Sequence, residues 1–215
     1  MALKLEVCDD NDMHRTFAIL SSAFGHEHPY IDAVFPSHAT ARGREIGGER
    51  LRAIKHNDPN TTFLKITDTD TGEMIAQAKW NIYDGEVPEA VELDGDFWAG
   101  EEEKEYAQYL FREYLVPRRA AIEDSGGHLV SLDILTVDPK HQRRGAGRML
   151  VEWGTAIADK MGVAAVVEAS TYGMPLYQSA GFEFVHHHVI DLPDKWAGRD
   201  KQTFTWMVRP KKTVD

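Results

Sequence analysis

The sequence predicts a mixed α/β domain in which an antiparallel hairpin precedes a β-α-β unit. Two apolar-rich segments, residues 61–67 and 74–83, are joined by a short turn that contains glycine, as in a β-hairpin. Further along, strand-like residues 128–137 and 163–169 flank an amphipathic helical segment. This β-α-β order requires a parallel strand pair with a right-handed crossover. We expect residues 1–215 to form one domain, because 42% hydrophobic residues suffice for a core.

The segment before the hairpin contains one predicted strand and two predicted helices. Residues 3–7 alternate between apolar and polar side chains, which is typical of a half-buried strand. Asp12 is suited to cap a helix whose apolar positions include Phe17 and Leu20. A second helix is predicted over residues 40–56, although its glycines lower its helix propensity.

An acidic, irregular stretch over residues 84–100 separates the hairpin from the β-α-β unit. It leads into a predicted helix over 101–115, which Pro117 divides from a shorter helical piece, so that 84–124 form a helical insertion. Similar periodicities predict the remaining elements. These are helices over 144–161 and 175–180 and strands over 182–190 and 203–208.

The charge balance narrows the classes of partner. The chain has 35 acidic residues against 24 lysines and arginines, a net charge of −11. A general nucleic-acid-binding protein would show a basic face, so we expect no nucleic-acid partner. A cationic or neutral substrate fits this charge, and so does a merely solubilising surface.

Cysteine content and hydropathy predict a cytoplasmic protein. The only cysteine, Cys8, cannot form an internal disulfide, so an oxidising compartment is not required. No targeting segment or long apolar run is evident, which predicts no membrane partner.

The most informative motif lies between the β-α-β strand and its helix. Residues 135–148 read Leu-Thr-Val-Asp-Pro-Lys-His-Gln-Arg-Arg-Gly-Ala-Gly-Arg. Glycines at alternate positions let the backbone approach a ligand closely, and the helix start adds unpaired N–H groups. Three arginines supply positive charge to the same place. The combination predicts a cradle for a phosphate or pyrophosphate, although it matches neither the P-loop nor the dinucleotide fingerprint.

Gln142-Arg143-Arg144-Gly145-Ala146-Gly147 resembles the Gln/Arg-x-x-Gly-x-Gly/Ala signature of the GNAT superfamily of N-acetyltransferases. Residues 135–139 resemble the strand end that precedes this loop, and 176–182 resemble the family's Leu-Tyr-x-x-x-Gly-Phe segment. The specific resemblance covers about residues 128–185. It implies a mostly antiparallel sheet of six to seven strands flanked by helices, with a splayed parallel strand pair that binds coenzyme A. It also implies direct acetyl transfer from acetyl-CoA to a primary amine.

The resemblance further implies which residues contact acetyl-CoA. Backbone groups of Leu135 and Val137 are expected to bind the pantetheine and acetyl carbonyl, and amides from Arg143 to Arg148 the pyrophosphate. Where family members often have asparagine, this chain has Ser170, which reaches less far. The expected cofactor-binding set is Leu135, Thr136, Val137, Gln142, Arg143, Arg144, Gly145, Ala146, Gly147, Arg148 and Ser170.

Tyr177 is the predicted general acid, because a phenol near the sulfur can protonate the leaving thiolate. Its alternative role is that of a half-buried packing residue. Asp133 is the first candidate for the general base, since burial among apolar neighbours would raise its pKa. The alternative for Asp133 is a structural carboxylate bonded to backbone. Glu168 and then His128 are the next candidates for the base.

The insertion suggests the class of acceptor. Its glutamates and aromatic residues would suit a small cationic or aromatic amine, or else form an extra solvated helix. Residues 24–35 are expected to form the other wall. The run His186-His187-His188 is expected to be strand rather than metal site, because adjacent strand residues point to opposite faces.

Two other functions remain open at this point. One is a non-catalytic acyl-CoA-binding sensor on the same fold, and the other is a protein N-terminal or lysine acetyltransferase with an open peptide groove. The favoured partner is a small-molecule amine. Homodimer formation is also left open.

Overall fold

The computed structural model describes residues 2–212 of the chain. Its seven strands are β1 (Leu3–Val7), β2 (Thr61–Asp68), β3 (Glu73–Asp84), β4 (His128–Val137), β5 (Ala164–Ala169), β6 (Glu183–Val189) and β7 (Thr203–Arg209). They form one sheet in the order β1-β2-β3-β4-β5-β7-β6. Only β4 and β5 pair in parallel, and the other neighbours are antiparallel. The predicted mixed, mostly antiparallel sheet is therefore confirmed.

Seven α-helices flank this sheet. They are α1 (Met13–Phe24), α2 (Pro29–Val34), α3 (Ala41–Asn57), α4 (Glu101–Tyr114), α5 (Val116–Asp124), α6 (Ala146–Met161) and α7 (Met174–Ser179). Sequence periodicity missed α2, because a helix of six residues is too short to show an apolar stripe. Across residues 2–212, no helix combines the length and apolar character needed to cross a membrane.

The two faces of the sheet support separate parts of the core. On β2, Leu64 belongs to the cluster that α6 covers, whereas its neighbour Phe63 belongs to the cluster built with α1 and α3. The glycines that weaken α3 in the sequence lie at its contact with α1. A Cβ at Gly47 would lie 2.2 Å from the Phe17 ring, so glycine is what permits the two helices to approach closely.

The parallel pairing of β4 with β5 is short. It joins Leu129–Leu132 to Ala164–Val167 and then stops, although β4 continues to Val137. At this point β4 also contains a bulge: Lys79 pairs with Ile134 and Trp80 with Leu132, which leaves Asp133 without a partner on β3. The two strands therefore separate at their carboxyl ends, and the sheet opens there.

The contact between α6 and the sheet generates a stability prediction. Trp80 is fully buried, its Nε1 donates to the Leu150 carbonyl at 3.1 Å, and a Cβ at Gly154 would lie 2.3 Å from its ring. We expect Gly154→Val to lower the free energy of unfolding by about 3 kcal/mol, measured by urea denaturation, because it overpacks this core. Gly198→Val is the control, since open space surrounds Gly198, and it should change stability by less than ~0.5 kcal/mol. Equal stability of the two variants would contradict this packing.

Candidate active site

A cavity of about 1720 Å³ opens where β4 and β5 separate. One side is formed by the end of β4, the following loop and α7, and the other by α2, α3 and the insertion. The structure brings thirteen of the predicted site residues to its wall. They are Asp133, Leu135, Thr136, Val137, Gln142, Arg143, Gly145, Ala146, Gly147, Arg148, Glu168, Ser170 and Tyr177.

The loop before α6 has the backbone geometry of an anion site. Arg143 and Gly145 both adopt left-handed conformations, with φ of 63° and 91°. These values explain why α6 begins at Ala146 and not at residue 144 as predicted. No side chain in the described part of the chain caps the first turn of α6, so its N–H groups are available to a ligand. Such concave arrangements of N–H groups favour bound anions.

The side chain of Arg144 differs from the expectation that it supplies positive charge to a bound phosphate. Its Nη2 donates to Asp68 Oδ2 at 2.6 Å, and its Nη1 lies 2.9 Å from His141 Nδ1. The hydrogen bond from Arg144 helps to lower the pKa of the Asp68 carboxyl. Arg144 does not line the cavity. The guanidinium is therefore neutralised by β2, and the positive side chains of the loop at the cavity are Arg143 and Arg148.

Three other members of the predicted cofactor set also have structural contacts. Thr136 Oγ1 accepts a hydrogen bond from Gln77 Nε2 at 2.7 Å inside the sheet. Ser170 Oγ accepts from the Gly173 amide at 3.2 Å, at the start of α7. A Cβ at Gly147 would lie 3.1 Å from Leu176, so this glycine allows α6 to pack closely on α7. Structural contacts therefore explain in part why these three residues lie at the cavity wall.

A buried ion-pair network lies where β4 and β5 separate. Arg118 on α5 donates through Nε to Glu168 Oε1 at 3.0 Å, through Nη2 to Glu168 Oε2, and through Nη1 to Asp133 Oδ1 at 2.5 Å. Lys79 Nζ donates to Asp133 Oδ2 at 2.5 Å. All four side chains line the cavity. Two carboxylates and two cations leave the network with no net charge.

Sequence analysis did not identify the two cations. Lys79 is a charged residue within the apolar run of β3, and Arg118 lies four residues before Ile122, on the buried face of α5. The signal in the sequence that could have identified them is therefore a charged residue at a core position of a strand or helix. Neither residue belongs to a motif, and their shared partner Asp133 lies 54 residues from Lys79 and 15 residues from Arg118 in the sequence.

The expected pKa of Asp133 is wrong in direction. Burial acts to raise it, but the charges and hydrogen bonds of Arg118 and Lys79 outweigh burial and lower the pKa of Asp133 well below its ordinary value. Burial raises the pKa of Glu168, with Arg118 opposing the rise. His128 does not line the cavity and lies 3.6 Å from Asp84 at the other end of β4. Asp133 is thus an ion-pair partner with a lowered pKa, whereas the pKa of Glu168 is raised.

Tyr177 lies on α7 with its ring packed edge-on against Phe182 at a centroid distance of 5.9 Å. Its ring occupies the space that a side chain at position 173 would need, since a Cβ at Gly173 would lie 2.7 Å from it. Burial raises the pKa of the Tyr177 phenol, so the hydroxyl keeps its proton at neutral pH. A protonated phenol at the cavity wall can act as a hydrogen-bond donor or general acid.

A family model described as Acetyltransferase (GNAT) domain matches residues 102–191, the segment that contains the loop, the network carboxylates and Tyr177. This segment is therefore similar to a GNAT acetyltransferase domain. Among curated proteins, no sequence matches the chain.

Solved acetyltransferase structures share the fold over nearly the whole chain. A Drosophila melanogaster polyamine N-acetyltransferase that forms N-acetylagmatine has 15% identity and a TM-score of 0.64, with 97% of this chain and 100% of that chain covered. A phosphinothricin acetyltransferase from Sinorhizobium meliloti, in complex with AcCoA, has 15% identity and a TM-score of 0.59, with coverages of 98% and 89%. A Corynebacterium glutamicum protein described as histone acetyltransferase HPA2 and related acetyltransferase has 17% identity and a TM-score of 0.61, with coverages of 100% and 99%. At these identities the likeness shows the fold.

The lining of the cavity divides the insertion into two parts. Glu86, Glu89 and Glu92 in its irregular stretch line the cavity, whereas Glu101–Glu103 at the start of α4 do not. Glu103 instead forms a salt bridge with Arg199 at 2.7 Å. The expected acidic wall is therefore provided by the loop, and the helix packs against the rest of the protein.

The opposite wall of the cavity is aromatic. Phe24, His28, Tyr30 and Phe35 line the cavity, and the Tyr30 ring stacks on Tyr114 at 4.1 Å. Burial lowers the pKa of His28 to about 4, so its imidazole is neutral at physiological pH. This wall offers apolar and aromatic surface with a neutral polar edge.

The lowered pKa of Asp133 predicts how its contribution to stability depends on pH. A carboxyl whose pKa is lower in the folded state stabilises above its unfolded value of about 3.9, and this stabilisation is lost as pH falls toward the folded value. We expect Asp133→Asn to cost about 3 kcal/mol at pH 7, because it leaves buried cations uncompensated. The difference in unfolding free energy between wild type and variant should be constant from pH 8 to about pH 5 and shrink below about pH 4. A difference that grows as pH falls from 7 to 5 would instead indicate a raised pKa.

The loop geometry predicts the effect of a side chain at position 145. Gly145 precedes α6 and Gly162 follows it. They have φ of 91° and 70°, and both face open space. Valine should strain both positions equally, by roughly 1–2 kcal/mol. Only Gly145→Val should weaken coenzyme A binding, at least tenfold by calorimetry, because its side chain would occupy the anion cradle. Equal affinities of folded Gly145→Val and Gly162→Val would place the cofactor elsewhere.

Proposed function

We propose that this chain transfers the acetyl group of acetyl-CoA directly to a primary amine of a small molecule. The observation that carries the proposal is the continuity of one cavity, which joins the anion-binding loop and Tyr177 to an aromatic and acidic acceptor wall. A donor bound at the loop and an acceptor bound at that wall would meet where β4 and β5 separate.

The donor end is assigned to the loop and the strand that precedes it. Amides from Arg143 to Arg148 would hold the pyrophosphate, with the side chains of Arg143 and Arg148 adding positive charge. Beyond Leu132, β4 forms no ladder with β5, so backbone groups near Leu135 and Val137 are available to an amide-containing ligand. Gln142, Ala146, Thr136 and Ser170 complete this wall.

Acetyl-CoA supplies a thioester, whose aminolysis releases a thiolate and requires the amine to lose a proton. Tyr177 is proposed to donate its phenolic proton or a hydrogen bond toward the leaving sulfur, since burial keeps the phenol protonated at neutral pH. Glu168 is proposed to accept the proton of the amine, since burial raises its pKa. The role proposed for Asp133 is to hold Arg118 and Lys79 in place beside Glu168.

The acceptor class follows from the wall. The carboxylates of Glu86, Glu89 and Glu92 favour an amine that carries positive charge, and the aromatic rings opposite favour its apolar part. The Drosophila and Sinorhizobium relatives are described as acting on polyamines and on phosphinothricin, which are small amines. A small cationic or aromatic amine is therefore the proposed acceptor.

Release of free thiol from acetyl-CoA in the presence of an amine panel tests this function. The panel should contain polyamines, agmatine, arylalkylamines and a lysine-containing peptide. We expect turnover with a small amine and a Michaelis constant for that amine that rises with salt more than the constant for acetyl-CoA does. Turnover only with the peptide would support protein acetylation, and coenzyme A binding without turnover on any amine would support the sensor function.

Tyr177→Phe tests the general acid. Phenylalanine keeps the ring and its packing on Phe182, so stability and coenzyme A affinity should change little. Loss of the proton donor should slow single-turnover acetyl transfer by roughly 10- to 1000-fold, since general acid catalysis typically contributes ~100- to 10,000-fold and water can substitute in part. Tyr106→Phe is the matched control, because Tyr106 is buried but does not line the cavity. Wild-type single-turnover rates in Tyr177→Phe would remove Tyr177 from the mechanism.

A further inference from the structure

Three metal-ligating side chains converge outside the catalytic cavity, in the segment that joins α1 to α3. Asp32 Oδ1 lies 2.9 Å from His26 Nδ1 and 2.9 Å from His38 Nε2. These three atoms all lie within 4.8 Å of one another. None of the three residues lines the cavity, so the proposed acetyl-transfer chemistry does not account for them.

The bonds of Ser21 fix which nitrogen of His38 carries a proton. Ser21 Oγ donates its single proton to the His38 carbonyl at 2.9 Å, so the contact of 3.0 Å with His38 Nδ1 needs Nδ1–H as donor. In the neutral imidazole, Nε2 then presents a lone pair to a carboxylate oxygen at 2.9 Å. Because His38 is only 1% exposed, water screens this repulsion little. A cation is needed between Nε2 and Asp32.

A proton on His38 Nε2 and the Nδ1–H tautomer of His26 would satisfy the two contacts separately, whereas one metal ion would be bound by all three converging atoms at once. In a tetrahedral zinc site with bonds of about 2.0–2.2 Å, two ligand atoms lie about 3.3–3.6 Å apart, so the two contacts of 2.9 Å must lengthen slightly and the two nitrogens must come to the same separation. Imidazole nitrogens exclude a preference for Mg²⁺ or Ca²⁺, which bind oxygen ligands. The bond from Ser21 also orients the ligand ring, as outer partners of metal-bound histidines do.

We propose that His26 Nδ1, Asp32 Oδ1 and His38 Nε2 bind one Zn²⁺ ion, with the fourth position open to solvent on the exposed side of His26. The ion would connect the end of α1, the helix α2 and the start of α3. His28, Tyr30 and Phe35 lie between the outer ligands His26 and His38 in the sequence, and they line the proposed acceptor wall. The site is therefore structural, and it fixes the shape of the wall rather than taking part in acetyl transfer.

The test is Zn²⁺ binding to the full chain, prepared without a polyhistidine tag and freed of metal by a chelator. Calorimetry should show one Zn²⁺ per chain for wild type, and Co²⁺ should give the visible absorption of a low-coordinate site. His26→Ala removes an exposed ligand with little risk to folding and should weaken Zn²⁺ binding at least tenfold. Asp32→Asn should weaken it similarly, because it keeps the size of the side chain and removes its charge.

His186→Ala is the matched control. His186 is an exposed histidine on β6 whose ring lies 6.0 Å from that of His188, so this pair is another place where two histidines lie close together. The variant should bind Zn²⁺ as wild type does. Loss of binding in His186→Ala but not in His26→Ala would overturn the proposal. So would a wild type that binds no stoichiometric Zn²⁺.

Discussion

The early end of the pairing between β4 and β5 is the constraint on which the site depends. Once the strands separate after Leu132 and Val167, their facing edges lack a ladder and need other partners. The bulge at Asp133 turns a carboxylate into this gap, and Glu168 on β5 supplies a second one. Two like charges in a buried gap would repel each other strongly. Arg118 and Lys79 make the arrangement stable, so α5 and β3 are as much part of the opening as the two strands that form it.

This arrangement separates two roles that a buried carboxylate can have. Asp133 receives two cations and is held ionised, whereas Glu168 shares one guanidinium and is buried more completely, with its side chain 1% exposed. The environment, not the residue type, sets the two pKa values apart. Such a difference between neighbouring acids is what proton transfer near neutral pH requires.

The parts of the molecule that sequence analysis predicted well are those encoded locally. The strands, the helix α6 and the loop before it follow from periodicity and glycine spacing within short windows, and the family signature lies within that loop. The errors arise from contacts distant in sequence. Arg144 is neutralised by Asp68, 76 residues away, and the pKa of Asp133 is lowered by Lys79, 54 residues away. Burial could be inferred from apolar neighbours in the sequence, but the charge that compensates it could not.

The glycines of α3 have a consequence for how acceptor specificity can change. Because Gly47 and Gly48 have no side chains, the backbone of α3 lies directly against the side chains of Phe17 and His14 of α1. α3 therefore contributes no side chain to this contact that a substitution could shorten. We expect acceptor preference to diverge instead in α2 and in the loop of Glu86, Glu89 and Glu92, whose residues line the cavity. Relatives that keep the paired glycines should share a common helical frame and differ in those two segments.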